Sequence, residues 1–102
     1  MRVPTLCVLI LTTAAGAARA DADRARLADL VKQDCGSCHG LTLKGGLGRP
    51  LTAQALADFP ADVVRDIILD GLPGTPMPPW RPLLTTEQAT IIADMLKRGE
   101  LQ

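Results

Sequence analysis

Cys35-Gly36-Ser37-Cys38-His39 decides how this chain is read. Two thiols three residues apart lie on one side of a helical turn, and an imidazole follows directly. That order and spacing match the attachment signal of c-type haem. Each thiol is placed to add to one vinyl group of the porphyrin, and the imidazole falls beneath the iron as proximal ligand. Two other uses of a Cys-x-x-Cys pair compete with this reading. A thioredoxin-type dithiol needs βαβ surroundings, and nothing in the chain alternates like a strand. Structural zinc takes four ligands, and beyond these three residues only Cys7 and carboxylates remain. Cys35, Cys38 and His39 are therefore read as the residues holding one haem c, covalently through the two cysteines.

Upstream of the motif, Asp21 to Asp34 reads as a helix. Leu27, Leu30 and Val31 recur at i, i+3 and i+4, with Arg24, Arg26, Asp29, Lys32 and Gln33 on the other face. Asp21 or Asp23 is the candidate cap. This helix runs straight into the motif and so delivers the thiols from a rigid element. Residues 1–20 read as a secretory signal: Arg2, an apolar run from Leu6 to Leu11, and Ala18-Arg19-Ala20 before the cleavage point. The run is too short to span a bilayer comfortably, which needs about 20 residues. An uncleaved anchor is the alternative. Cleavage after Ala20 leaves a domain over 21–102 with 9 basic and 11 acidic residues and both remaining cysteines in the motif.

Downstream, Gly40 to Pro50 is glycine-rich without a helical period, hence a loop. Read functionally, backbone bare of side chains lies against the haem edge. A carbonyl there, with Pro50 the candidate, accepts the second imidazole N–H of His39. Lys44 and Arg49 read as solvated charges flanking the motif. Thr52 to Asp58 is a candidate short helix. Pro60 then opens a clearer one, with Val63, Val64, Ile67 and Ile68 as an inward stripe lining the haem pocket and Gly71 as its stop.

The second informative stretch is Gly71-Leu72-Pro73-Gly74-Thr75-Pro76-Met77-Pro78-Pro79-Trp80-Arg81-Pro82. Five prolines in these twelve residues forbid helix and sheet and stiffen the backbone. Methionine is ordinarily gap-filling core, which is how Met95 reads. Met77, flanked on both sides by proline, reads as a side chain that has to be aimed, the distal ligand to iron. Trp80 either packs on the porphyrin, donates its N–H to a propionate, or is simply buried. Thr85 to Arg98 closes the chain as a helix with a Thr85/Gln88 capping box, Ile91, Ile92, Met95 and Leu96 inward, and Gly99 as its end.

The whole chain has 102 residues, room for one domain, and only two aromatics, Phe59 and Trp80. Chains this short seldom build a sufficient core from aliphatic residues alone, and a covalent porphyrin supplies the missing bulk. Formal charge is zero, with 11 basic and 11 acidic residues. Nucleic-acid binding, which shows as a basic patch and high pI, is excluded. The single histidine is already assigned, so no further catalytic constellation remains.

Taken together, helix, Cys-x-x-Cys-His, glycine loop, helix, proline-flanked methionine and final helix resemble the class I cytochromes c. More narrowly, Cys38 to Gly48 and Asp70 to Pro82 look like the cytochromes c55X, small periplasmic monohaem proteins found with cytochrome cd1 nitrite reductase. The resemblance implies an all-α fold, three to four helices wrapped around one covalent haem c. It implies thioethers at Cys35 and Cys38, and His39 and Met77 on the iron. It implies a monomeric periplasmic electron-transfer protein, not an enzyme, whose redox partners are an upstream donor and the nitrite reductase. The alternative is a redox role in maturing the haem d1 of that reductase. One departure stands out: neither terminal helix carries the aromatic that many class I members use where those helices cross.

Overall fold

Alanine-rich sequence favours helix, because alanine gives up no side-chain entropy there. In the computed structural model, which describes residues 1–3 and 14–102, α1 accordingly spans Ala14–Leu30 and begins ahead of the expected Asp21 start. Ala14, Ala15, Ala17, Ala18 and Ala20 carry the helix across that boundary. Cys7 and the apolar run Leu6 to Leu11 lie outside the described residues. No helix among the described residues is long and apolar enough to cross a membrane.

The helical rod then changes pitch. Val31–Cys35 is a π turn, closed by the Gly36 N–H on the Val31 carbonyl, and α2 (Gly36–His39) follows without a break. A π turn takes five residues per hydrogen-bonded loop where an α turn takes four. Gly36, not Cys35, therefore comes under Val31, and both Gly36 and Val31 are buried. Cys35 is displaced to the flank, where it stays half-buried. The sequence reading expected a plain α-helix to Asp34; no residue type in this stretch signals the extra turn width.

The expected short helix over Thr52–Asp58 is a set of turns. The Thr52 hydroxyl and carbonyl accept from Ala55 and Leu56 N–H at 3.2 and 3.0 Å, and Phe59 N–H returns to Leu56 at 3.0 Å. Proline at 60 disfavours helical backbone at Phe59, so the run is too short to recover its nucleation cost. α3 (Ala61–Asp70) starts after Pro60 and stops at Gly71, whose φ is 70°. Its buried residues are Val64, Ile68 and Leu69, while Val63, expected inward, is 39% exposed. α4 (Thr86–Lys97) has the expected capping box: Gln88 N–H on the Thr85 hydroxyl at 3.1 Å, Thr85 N–H on the Gln88 side chain at 3.0 Å.

α4 packs against both α1 and α3. Leu27 from α1, Val31 from the π turn, Leu69 from α3, Ile92 and Met95 from α4, and Leu43 from the glycine loop are almost wholly buried in one cluster. Ala89 and Ala93 of α4 are also wholly buried. At the surface, Arg24 of α1 bonds Glu100 at 2.7 Å and Asp94 at 3.4 Å, tying the first helix to the chain's end. Lys97 reaches back from α4 to the carbonyls of Leu56, at 3.0 Å, and Phe59, pinning the turns that precede α3. Hydrogen bonds from a charged donor contribute about 1.5–3 kcal/mol. Lys97→Ala is therefore expected to lower unfolding free energy by about 1–3 kcal/mol, measured by denaturant titration of the holoprotein.

Candidate haem site

Helices and loops enclose a cavity of about 760 Å³. Cys35, Cys38, His39, Met77 and Trp80 all stand on its wall, together with apolar residues from three directions. Leu51, Leu56 and Phe59 come from the turns, Val64, Ile67 and Ile68 from α3, and Ile92 and Leu96 from α4. The α3 stripe, expected from the sequence to line the haem pocket, does so through Val64, Ile67 and Ile68. Pro50, the remaining candidate, does not line it.

His39 is held from two sides. Its Nδ1 lies 2.7 Å from the carbonyl oxygen of Arg49. A carbonyl only accepts, so Nδ1 carries the proton and Nε2 keeps a free lone pair, the form a metal ligand needs. The expected acceptor was Pro50; the observed one is the residue before it. Proline holds its predecessor in extended backbone, and that extension projects the Arg49 carbonyl, while the Pro50 ring sits against Gly45. On the other side lies Gly48. A Cβ there would stand 2.7 Å from both Nδ1 and Cε1 of the imidazole, so only glycine lets the loop lie flat against the ring. The loop is tied down by Gly45 N–H on His39 O at 2.8 Å and Gly48 N–H on Cys38 O at 2.7 Å. These bonds occupy carbonyls that a helix end otherwise leaves open. The glycine stretch is a fitted cap, not a slack connector.

Met77 is half-buried on the same wall. Its N–H donates to the Thr75 hydroxyl at 3.3 Å, and that hydroxyl donates to Leu72 O at 2.7 Å. Leu72 N–H in turn reaches Met77 O at 3.3 Å, closing a small ring of bonds beneath the methionine. The main-chain N–H of Trp80 donates to Ile68 O at 3.0 Å. Sequence reasoning missed Arg49 as acceptor and Phe59 as wall. The Arg49 guanidinium lies 4.8 Å from the Phe59 ring centroid, a cation–π contact at the cavity margin.

Cys35 and Cys38 are free thiols. Burial first, and the neighbouring Asp34 carboxylate second, push the Cys35 thiol up to about 11. Among the described residues no cluster of three His, Cys, Asp or Glu is arranged to hold a metal ion. No strand occurs among them either, which removes the thioredoxin-like reading.

The cavity suits haem by size and by donors. Two thiols, an imidazole with Nε2 free and a thioether share one largely apolar wall, the side chains that haem c attachment and ligation use. Apolar surface of this extent is favourably removed from water only when an apolar group lies against it, so the group that fills the cavity is part of the core. Fold and cavity together define a c-type cytochrome, an electron-transfer protein with covalently bound haem c.

Comparison with known proteins gives the family. A family profile described as "Cytochrome C oxidase, cbb3-type, subunit III" matches residues 22–96. Cytochrome c55X of Paracoccus denitrificans is 52% identical over 101 residues, covering 99% of this chain and 98% of that protein. Cytochrome c55X of Pseudomonas aeruginosa is 50% identical over 78 residues, covering 76% of this chain and 66% of that protein. The solved structure of the c-type cytochrome NirC superposes with a TM-score of 0.74 at 49% identity, covering 76% of this chain and 92% of that one. The chain belongs to the cytochrome c55X family.

The close approach at Gly48 yields a test. Gly48→Ala is expected to push the imidazole off the Arg49 carbonyl, shifting the haem potential and lowering the thermal midpoint. Voltammetry and a melt of the holoprotein check both; an unchanged pair of values removes the packing argument.

Proposed function

We propose that this chain is a periplasmic one-electron carrier that delivers electrons to cytochrome cd1 nitrite reductase. In this reading Cys35 and Cys38 form the thioethers, His39 is the proximal ligand and Met77 the distal one. The observation that carries it is the sharing of one cavity wall by an imidazole with Nε2 free and a methionine held in a proline-stiffened loop. Haem so bound supplies one-electron iron chemistry, with the thioether raising its potential. With both axial positions taken by the chain, no coordination site is left for a substrate, so the protein carries electrons and does not transform a small molecule. Trp80, on the same wall, packs on the porphyrin or donates to a propionate.

Residues 1–20 act as the export signal, cleaved after Ala20. This fits the exposure of the α1 residues from 15 to 22, which contribute nothing to the core. The mature domain, 21–102, then works as a diffusing monomer. The choice of partner is supported by relatives named cytochrome c55X and by likeness to a structure named NirC.

Two measurements test the proposal. Met77→Ala is expected to lower the potential by at least about 59 mV, a tenfold change in the one-electron equilibrium; an unchanged potential removes Met77 from the iron. Reduced holoprotein mixed with active cytochrome cd1 nitrite reductase and nitrite is expected to reoxidise at a rate that supports turnover. Negligible reoxidation, with the enzyme running on another donor, points instead to service in haem d1 maturation.

A further inference from the structure

The loop that bears Met77 has an unusual construction. Pro73, Pro76, Pro78 and Pro79 have no N–H to give, so the loop's own bonds are confined to the small ring joining Leu72, Thr75 and Met77. It is fixed to α3 where its two ends meet. Trp80 N–H reaches Ile68 O and Arg81 N–H reaches Leu69 O, both at 3.0 Å. Outside these two bonds, Arg81 grips Asp70 with both prongs, Nε to Oδ1 at 2.9 Å and Nη2 to Oδ2 at 3.0 Å.

Asp70 is the last residue of α3, and α3 has no basic residue in its final turn. A carboxylate at that end faces the negative pole of the helix. Arg81, returning from the far side of the loop, supplies the cation that both the carboxylate and the helix end require. Motion at this junction cannot be absorbed locally. A Cβ on Gly71 would lie 2.7 Å from Met77 O and 2.9 Å from Pro78 C and Pro79 N, so the methionine arm rests directly on the residue after Asp70. Backbone linking Asp70 to Arg81 therefore encloses Met77 in a stiff ring with one ionic closure.

We propose that the Asp70–Arg81 pair is the clasp that keeps Met77 on the haem iron, setting how readily an external ligand displaces it. Asp70 and Arg81 are positioning residues: they act through the loop and do not touch the iron. This inference rests on Met77 being the distal ligand. A two-pronged exposed pair is weak enough to open and strong enough to bias the loop.

Oxidised holoprotein is mixed with imidazole, and the rate at which it replaces the native sixth ligand is followed by visible absorption. Asp70→Asn, Arg81→Gln and the double variant are compared with the native chain and with Met77→Ala. Each single variant is expected to accelerate displacement about two- to five-fold, and the double no more than either single, because both remove one interaction. The native rate is expected to rise with sodium chloride, which screens the exposed pair, and the variants to respond little. Thermal midpoints serve as the control for general loosening. A native rate as slow as that of all three clasp variants overturns the clasp alone. Acceleration that merely tracks a falling midpoint also overturns it. Imidazole entering the native chain as fast as Met77→Ala overturns the ligand reading, and the clasp with it.

Discussion

A chain with two aromatic residues folds here around a cavity of about 760 Å³, and every other feature answers to that void. Beside the buried cluster, its helices line that cavity. α3 turns Val64 and Ile68 toward the cavity, and α4 contributes Ile92 and Leu96 to the same wall. The apolar stripe of α3, read from the sequence as lining the haem pocket, does stand on the cavity wall through Val64, Ile67 and Ile68. Fold and cofactor are for this reason one thermodynamic problem: the apolar wall is buried only when something planar and apolar lies against it.

The two loops do different work at the two ends of that cavity. The glycine loop fits by absence of side chains, letting Gly48 press on the imidazole while Arg49 O orients it. The proline loop fits by absence of freedom, presenting Met77 from backbone that few conformations remain open to. One relies on room and the other on stiffness. Both are anchored to helix ends, the first on the carbonyls of Cys38 and His39, the second on those of Ile68 and Leu69. Groups that a helix terminus leaves unpaired thus become the fixing points for the residues nearest the haem.

Sequence periodicity was most informative where local physics decides alone. The capping box at Thr85 and Gln88, the stop at Gly71 and the core placement of Met95 depend on neighbours within a turn or so, and each is found as read. Errors fell where a competing element intervened. Val63 lies at the surface while Leu69 is almost wholly buried, because α3 is covered by α4 as well as by the cavity.

What the sequence determined by itself was the chemistry: thiol spacing, one histidine, one proline-flanked methionine, and helix ends marked by glycine and threonine. These are properties of covalent geometry and of contacts a few residues apart, so they survive without a fold. Tertiary structure decided the rest. It widened the helix at Val31–Cys35 so that Gly36 enters the core and Cys35 the cavity. It made Arg49, not Pro50, the partner of His39. It also brought Asp70 and Arg81 together across the methionine loop. Each depends on where a distant surface lies, and separations of ten or so residues through irregular backbone leave no period from which that position can be read.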